Sequence, residues 1–166
     1  MNPFAPVAPA KAKPKRPVKP RPLPQPIDDI AGLPAGQQVI LPFPAQALSP
    51  NARGHWSRRS TAAKAYRREC WALALAAKLT APAAGPIRLH LDFFPPDRQA
   101  RDDDNAIASF KSGRDGIADA LKADDSRFVT SHRWHRPGEN GKHDAGPRSC
   151  VVVTIWADAG PEGEEA

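Results

Sequence analysis

Strict alternation between apolar and polar side chains over residues 87–93 constrains the fold of this chain most strongly. The apolar positions are Ile87, Leu89, Leu91 and Phe93, and the polar ones between them are Arg88, His90 and Asp92. A period of two is typical of a β-strand that buries one face. Because segments with a helical period lie on both sides of it, the chain has to connect strands through helices.

Two segments carry apolar side chains at helical spacing. The first, from Thr61 to Leu79, has the apolar positions Tyr66, Cys70, Leu73 and Ala77. The second, from about Asn105 to Leu121, has Ile107, Phe110, Ile117 and Leu121. Side chains three or four residues apart share one face of a helix. We therefore predict two amphipathic helices, one before and one after the strand.

Three further segments are predicted as strands. Gln38 to Phe43 is apolar, Phe128 to Arg136 is mixed in polarity and suits an edge or DNA-facing strand, and Cys150 to Trp156 is almost wholly apolar and suits a central one. The order β-α-β-α-β-β predicts a small α/β domain over residues 36–157, with two helices covering one face of a mixed sheet.

The two ends of the chain have the composition of disordered tails. Residues 1–35 hold ten of the twenty prolines, and before Asp28 they contain six basic residues and no acid. Too few large apolar side chains remain there to offset chain entropy. This tail is expected either to tether the protein loosely to DNA or only to solubilise it. Residues 158–166 are acidic and glycine-rich, and we expect them to be disordered as well.

The charge of the chain favours a polyanionic partner. The formal net charge is +6, and cations that contact phosphates release condensed counterions, so nucleic acid is the first candidate. No run of 18 apolar residues and no secretory signal is present. Cys70 and Cys150 lie in apolar surroundings and are interpreted as reduced core residues. We expect a cytoplasmic protein with no membrane association and, lacking a glycine-rich phosphate loop, no nucleotide cofactor.

The stretch from Arg101 to Phe128 is the most informative for function, because it contains seven aspartates. Asp102, Asp103 and Asp104 come just before the predicted helix, where a carboxylate caps the first backbone amides. Capping needs one acid, however, and a second pair, Asp124-Asp125, follows the helix. Convergent carboxylates are also what Mg²⁺ requires, since it prefers hard oxygen ligands. Capping and metal binding are both compatible with this pattern.

These residues resemble a known family, the RusA-like Holliday-junction resolvases. The resemblance runs from the LPFP segment near Leu41 through SPNARGHW and KAYR to the acidic stretch. The matching positions there are Arg101, Asp102, Asp104, Asn105, Lys111, Asp115-Gly116 and Asp124-Asp125. The family implies a homodimer that makes paired nicks in four-way DNA junctions, uses Mg²⁺ with Mn²⁺ as a substitute, and is often encoded by prophages.

By the same resemblance, each acidic-stretch residue receives a role. Asp102, Asp104 and Asp125 would bind the metal and Lys111 would be the catalytic lysine, while Asn105, Asp115 and Asp124 would support them and Asp103 would face away. The chain departs from the family in one respect, because about one more helical turn separates the Asp-Asn step from the lysine. Lys111 is therefore farther from Asp104, and an ion pair with Asp115 is an alternative role for it.

A basic cluster with one aromatic side chain is predicted to contact DNA. Its members are Arg53, Trp56, Arg58, Arg59, Lys64, Arg67 and Arg68, and Arg101 joins them before the acidic stretch. Arginines would bind phosphates and Trp56 would stack on an unpaired base. A solvated helix face is the alternative interpretation. On the mixed strand, His132, Arg133, Trp134, His135 and Arg136 are interpreted as DNA-side contacts. Neither these histidines nor His143 have cysteine companions, so we expect no zinc site.

The leading hypothesis is thus a resolvase-type endonuclease, and two alternatives stay open: a non-catalytic phage DNA-binding protein with the same fold, and a general nuclease for flaps or single strands. One geometric expectation accompanies it. A straight second helix would place Asp104 and Leu121 about 25 Å apart. Asp125 can then join Asp104 only if the helix breaks, with Gly113 and Gly116 as weak points, or if Asp125 of the partner subunit completes the site.

Overall fold

The computed structural model describes residues 35–96, 102–135 and 149–157. Its helices and strands are β1 (Gln37–Pro42), α1 (Trp56–Ala76), β2 (Ile87–Phe94), α2 (Asp103–Leu121), β3 (Phe128–Trp134) and β4 (Cys150–Ala157). Short 3-10 turns at Gln46–Leu48 and Asp125–Arg127 connect them. Apart from Ala35, the predicted tails lie outside the described residues, as do Arg101, Arg136 and His143.

The four strands form one mixed sheet in the order β1-β4-β2-β3. Strand β4 pairs antiparallel with both β1 and β2, while β2 and β3 are parallel. Strands β1, β2 and β3 therefore all run in the same direction. The predicted α/β class is confirmed, with the apolar segment β4 in the centre and the mixed-polarity segment β3 at an edge.

The core lies between the sheet and the two helices. Alternate residues of β2 and β4 are almost completely buried on this face, namely Leu89, Leu91, Phe93, Val151, Val153 and Ile155. The helices contribute Tyr66, Cys70, Phe110 and Ile117 to the same cluster. A smaller cluster of Phe94, Cys150 and Val152 lies on the opposite face. Burial raises the pKa of both cysteine thiols to about 12, which agrees with their interpretation as unreactive core residues.

The two helices pack closely because α2 has glycines at the contact. A Cβ at Gly116 would overlap the carbonyl oxygen of Arg67, and one at Gly113 would come within 2.9 Å of the Tyr66 ring. Helix α2 is continuous through both positions, so the suggestion that they are weak points was wrong. They are small because the α1 backbone and an aromatic ring lie against them.

Several boundaries differ from the sequence prediction, and the largest difference is at the start of α1. Helix α1 begins at Trp56 instead of Thr61, because His55 Nδ1 accepts a hydrogen bond from the Ser57 amide and caps the helix. Helix α2 begins two residues early, and β3 ends at Trp134 instead of Arg136. Among the described residues, neither helix has the length and apolar character needed to cross a membrane.

Candidate functional site

The first turns of the two helices lie at the same edge of the sheet. The contacts between the two helices show their relative direction. The Tyr66 ring packs on Phe110, and farther along both helices the Trp71 amide lies near Gly116. The helices therefore run in the same direction, and each follows a strand of the parallel set. Both N-termini lie beyond the carboxyl ends of β1 and β2, which is the edge where open α/β sheets usually bind ligands.

Helix α2 begins with three exposed aspartates. Asp102 is the N-cap: one carboxylate oxygen accepts from the Asp104 amide at 3.3 Å and the other from Asn105 Nδ2 at 3.2 Å. The capping interpretation is thus confirmed for Asp102, and Asn105 holds its carboxylate in place. Each oxygen retains a second lone pair, so the cap does not use up the capacity of this carboxylate to accept a ligand.

The two aspartates after the cap differ in their surroundings. Asp103 lies 3.6 Å from Nε2 of His132, near the carboxyl end of β3, where it helps to connect α2 to the edge strand. Within the described part of the chain, the Asp104 side chain has no hydrogen-bond or ion-pair partner. Asp104 is therefore the carboxylate at this edge with the most unused acceptor capacity.

Lys111 is exposed on α2, seven residues and about 10 Å along the helix from Asp104. The suggested ion pair with Asp115 is wrong, because these two described side chains form none. Asp115 instead lies where its charge contributes to raising the pKa of Arg67 on α1. Lys111 is thus an exposed cation on the first half of α2.

The late acidic pair belongs to another part of the fold. Asp124 caps the second 3-10 turn by accepting from the Ser126 amide at 2.8 Å, and hydrogen bonds from Ser126 lower its pKa. Arg114 donates to the Asp125 carbonyl at 2.7 Å, and its Nη2 lies 3.9 Å from Oδ2 of Asp125. Asp125 is therefore near the second half of α2.

Asp125 and the acidic start of α2 are not brought together within one chain. Arg114, which contacts Asp125, lies ten helical residues or about 15 Å beyond Asp104. In residues 35–96, 102–135 and 149–157, no group of three His, Cys, Asp or Glu side chains is placed to hold a metal ion.

The predicted basic cluster lies mostly on the exposed surface of α1 and the loop before it. Its exposed members are Arg53, Trp56, Arg58, Arg59, Lys64, Arg67 and Arg68, and Trp56 is 74% exposed. Arg67 differs from the others, since it donates to both carboxylate oxygens of Asp119 at 2.6 and 2.8 Å, which raises its pKa. Arg67 thus forms an ion pair between the two helices and is less available than the other arginines to contact a phosphate.

A buried charge network on the helix-free face of the sheet was missed in the sequence. Asp92 is completely buried, and its Oδ1 accepts hydrogen bonds from Arg133 at 2.7 to 2.8 Å and from His135 Nε2 at 2.7 Å. His90 Nε2 lies 3.6 Å from Oδ2, too far for a hydrogen bond. Burial alone would raise the pKa of Asp92, but these hydrogen bonds and charges outweigh it and the pKa is lowered. The available signal was an acid directly before Phe93 and Phe94, where the alternation of the strand ends.

This network gives two of the β3 side chains that were interpreted as DNA contacts a partner within the fold. Arg133 and His135 are bound to Asp92, and the His135 ring stacks on Phe94 at 4.1 Å. Trp134 faces the helices instead and stacks on Phe93 at 4.9 Å. These β3 side chains therefore serve the fold.

Comparison with known proteins gives a relative but no family description. The chain matches no protein-family model. An uncharacterized protein of Xylella fastidiosa is 45% identical to it over 129 residues, which cover 76% of this chain and 80% of that protein. The chain belongs to the same family as this Xylella protein. A span that covers 76% of this chain includes both α1 and α2 wherever it begins. The two helix starts therefore belong to the region that the family members share.

Proposed function

We propose that this chain is a Mg²⁺-dependent, structure-selective endodeoxyribonuclease that resolves four-way DNA junctions by paired nicks, as RusA-like resolvases do in DNA recombination and repair. The observation that carries the proposal is that acidic and basic side chains lie at the same edge of the sheet. The exposed carboxylates of Asp102 and Asp104 begin α2, and the basic residues around Trp56 begin α1 at the same edge.

This arrangement of charges suits phosphodiester hydrolysis better than DNA binding alone. A surface that only binds DNA gains from cations, and carboxylates beside them repel the phosphates. Acids at the edge of a basic surface are useful when a divalent cation neutralises them and contacts the same phosphate. Arg58 and Arg59 would hold the backbone while the acidic start of α2 faces the scissile group.

The donor atoms present fit Mg²⁺, which takes hard oxygen ligands and keeps several waters. Asp104 has an unused carboxylate and Asp102 has unused lone pairs, so these two would hold the ion. Once bound, the ion would activate water and stabilise charge on the attacked phosphate. Lys111, the exposed lysine of α2, would contact an oxygen of the DNA phosphate at this site.

The position of Asp125 supports a homodimer as the working unit. Because Asp125 lies beside Arg114, the described aspartates of one chain at this sheet edge are those at the start of α2, where Asp103 faces His132 and Asp102 and Asp104 remain for the metal. Asp125 of the partner subunit would complete the carboxylate set. A two-fold dimer would also present two such sites, which suits the two symmetric cuts that a four-way junction needs.

Cleavage of matched substrates tests the proposal. A four-way junction, a flap and a linear duplex of the same sequence are incubated with the full chain and Mg²⁺ or Mn²⁺. Paired nicks restricted to the junction are expected. Equal cutting of flap or duplex would favour a general nuclease, and specific binding with no cleavage in either metal would favour a non-catalytic DNA-binding protein.

A further inference from the structure

An exposed tryptophan on α1, distinct from Trp56, lies in a shallow basic groove. Trp71 is 40% exposed, and the groove of about 390 Å³ around it is lined by Lys64, Arg67, Arg68, Trp71 and Asp119. An exposed indole costs hydration free energy unless something covers it, and cations surround this one. The groove therefore combines an uncovered aromatic surface with positive charge.

The base of this groove lies at the contact between the two helices. The Trp71 amide packs against Gly116, where a Cβ would be 3.1 Å from its nitrogen. Arg67 and Asp119 close one side with their two hydrogen bonds and neutralise each other. The uncompensated charges at the groove are consequently those of Lys64 and Arg68.

Trp71 is also in line with the predicted stacking residue Trp56. Fifteen helical residues separate them, which is about 22 Å along the axis and a net rotation of about 60°. Lys64 and Arg68 lie between the two on the same side of α1. The exposed face of α1 thus carries two cations between two tryptophans, at increasing distance from the acidic edge.

We infer that this face of α1 binds an unpaired DNA strand, with Trp71 stacking on a base and Lys64 and Arg68 contacting the phosphates on either side. Every base has a π-face, so an indole beside cations binds single strands without regard to sequence. The inference deepens the proposed function, from which it takes DNA as the ligand. A strand that leaves the acidic edge unpaired would continue along this face.

A protein partner fits the same surface less well. Stable protein interfaces bury about 800 Å² on each side and have a mainly apolar centre. On this face of α1, the described large apolar side chains that are exposed are Trp56, Trp71 and Leu75, and cations separate the two tryptophans. The charge is complementary to a phosphate backbone, and the aromatic surface matches the size of a single base.

Binding of labelled oligothymidylate by the full chain, in EDTA to prevent cleavage, tests the inference. Trp71→Ala is expected to weaken binding about tenfold, since the stacking of one base is lost. Trp71→Phe keeps an aromatic surface and is expected to stay within about threefold of wild type. Val129→Ala, at another exposed apolar residue on the edge strand, is the matched control and should bind normally.

An abasic oligonucleotide of the same length and charge separates stacking from electrostatics. Trp71→Ala should bind it as wild type does, because no base is present to stack. Equal losses for both oligonucleotides, no loss for either, or a change in oligomeric state that explains the loss would each overturn the inference. A Trp71-dependent preference for bases in a protein that cuts no junction would leave this inference standing and contradict the proposed nuclease. Junction cutting without that preference would do the reverse.

Discussion

The carboxylate of Asp92 lies 2.7 Å from Nε2 of His135, and Asp92 is completely buried although it is on the face of the sheet without helices. Because a carboxylate only accepts hydrogen bonds, Nε2 of His135 carries the proton in this pair. Arg133 donates to the same oxygen, so one carboxylate joins β2 to the end of β3. A buried carboxylate is destabilising unless it is paired, so the stability of the fold depends on these contacts.

Replacing Asp92 by asparagine should therefore destabilise the fold. The asparagine side chain keeps the shape of the aspartate but loses the charge-assisted hydrogen bonds, so the free energy of unfolding is expected to fall by about 2 kcal/mol. Urea denaturation followed by circular dichroism measures it. Asp119→Asn is the surface control, since Asp119 also pairs with an arginine through Nε and Nη2, there at both carboxylate oxygens, and it should cost less than about 1 kcal/mol. Equal losses would show that the burial of Asp92 is unimportant.

Acid should destabilise the protein partly through His90. Burial lowers the pKa of His90 below its ordinary 6.5, against the attraction of Asp92. The unfolded chain then binds a proton more readily than the folded one, so stability is lost as the pH falls from 6.5 towards the folded pKa. Unfolding free energies of wild type and His90→Gln are compared from about pH 7.5 to about pH 5, a range that brackets the ordinary histidine pKa. The difference, wild type minus variant, should decrease on acidification, and an increase would contradict the assignment.

The Asp92 pKa predicts a second loss at lower pH. Its folded pKa is depressed, so its contribution is present above the ordinary value of 3.8 and disappears as the pH falls through the folded pKa. The groups facing it are His135 and Arg133, which donate hydrogen bonds, and His90. Both groups therefore act in the same direction. Asp92→Asn should remove the more acidic part of the stability change and enlarge the part due to His90, because the charge of Asp92 raises the pKa of His90.

Gly116→Ala should weaken the packing of α1 on α2. The added methyl group overlaps the backbone of Arg67, and such overpacking typically costs about 1–3 kcal/mol. Thermal unfolding measures the loss. The reverse change at an exposed site of the same helix, Ala108→Gly, controls for helix propensity, since alanine is favoured there by about 1 kcal/mol. A Gly116→Ala protein as stable as wild type would mean that the helices separate easily.

Much of the fold followed from periodicity, because side-chain spacing reports directly which face of an element is buried. The alternation at 87–93 and the apolar run at 150–156 predicted the right strands, and the apolar run also predicted a central place in the sheet. The ends of elements were less predictable, since caps decide them. His55 starts α1 earlier than its apolar stripe indicates.

The site was harder to predict because contacts across the chain are not visible in spacing. Arg67 and Trp71 lie on the helix face of the basic cluster. Arg67 is nevertheless paired with Asp119 on α2. Arg133 and His135 look like surface cations in the sequence and are bound by Asp92, 41 and 43 residues away. Asp102 had two interpretations, capping and metal binding. Its contact with the Asp104 amide confirms the capping role, which spacing alone could not establish.

Mixing inactive subunits tests whether the carboxylates come from two chains. Asp104→Asn and Asp125→Asn subunits, each expected to be inactive alone, are combined and checked for dimer formation. Junction nicking should return, because one of the two sites in the mixed dimer regains an intact Asp104 together with an intact Asp125. No recovery in verified mixed dimers would favour a site within a single chain.

Junction cleavage by Asp104→Asn tests the central claim most directly. Asparagine keeps the size of the side chain but removes the charge, and the cap at Asp102 remains, so the fold and α2 should be preserved. With Mg²⁺, the variant is expected to lose nearly all cleavage of a four-way junction while binding it as tightly as wild type or more tightly, because a charge that repels phosphate is gone. Cleavage at a substantial fraction of the wild-type rate would contradict the assignment of the acidic start of α2 as the catalytic centre.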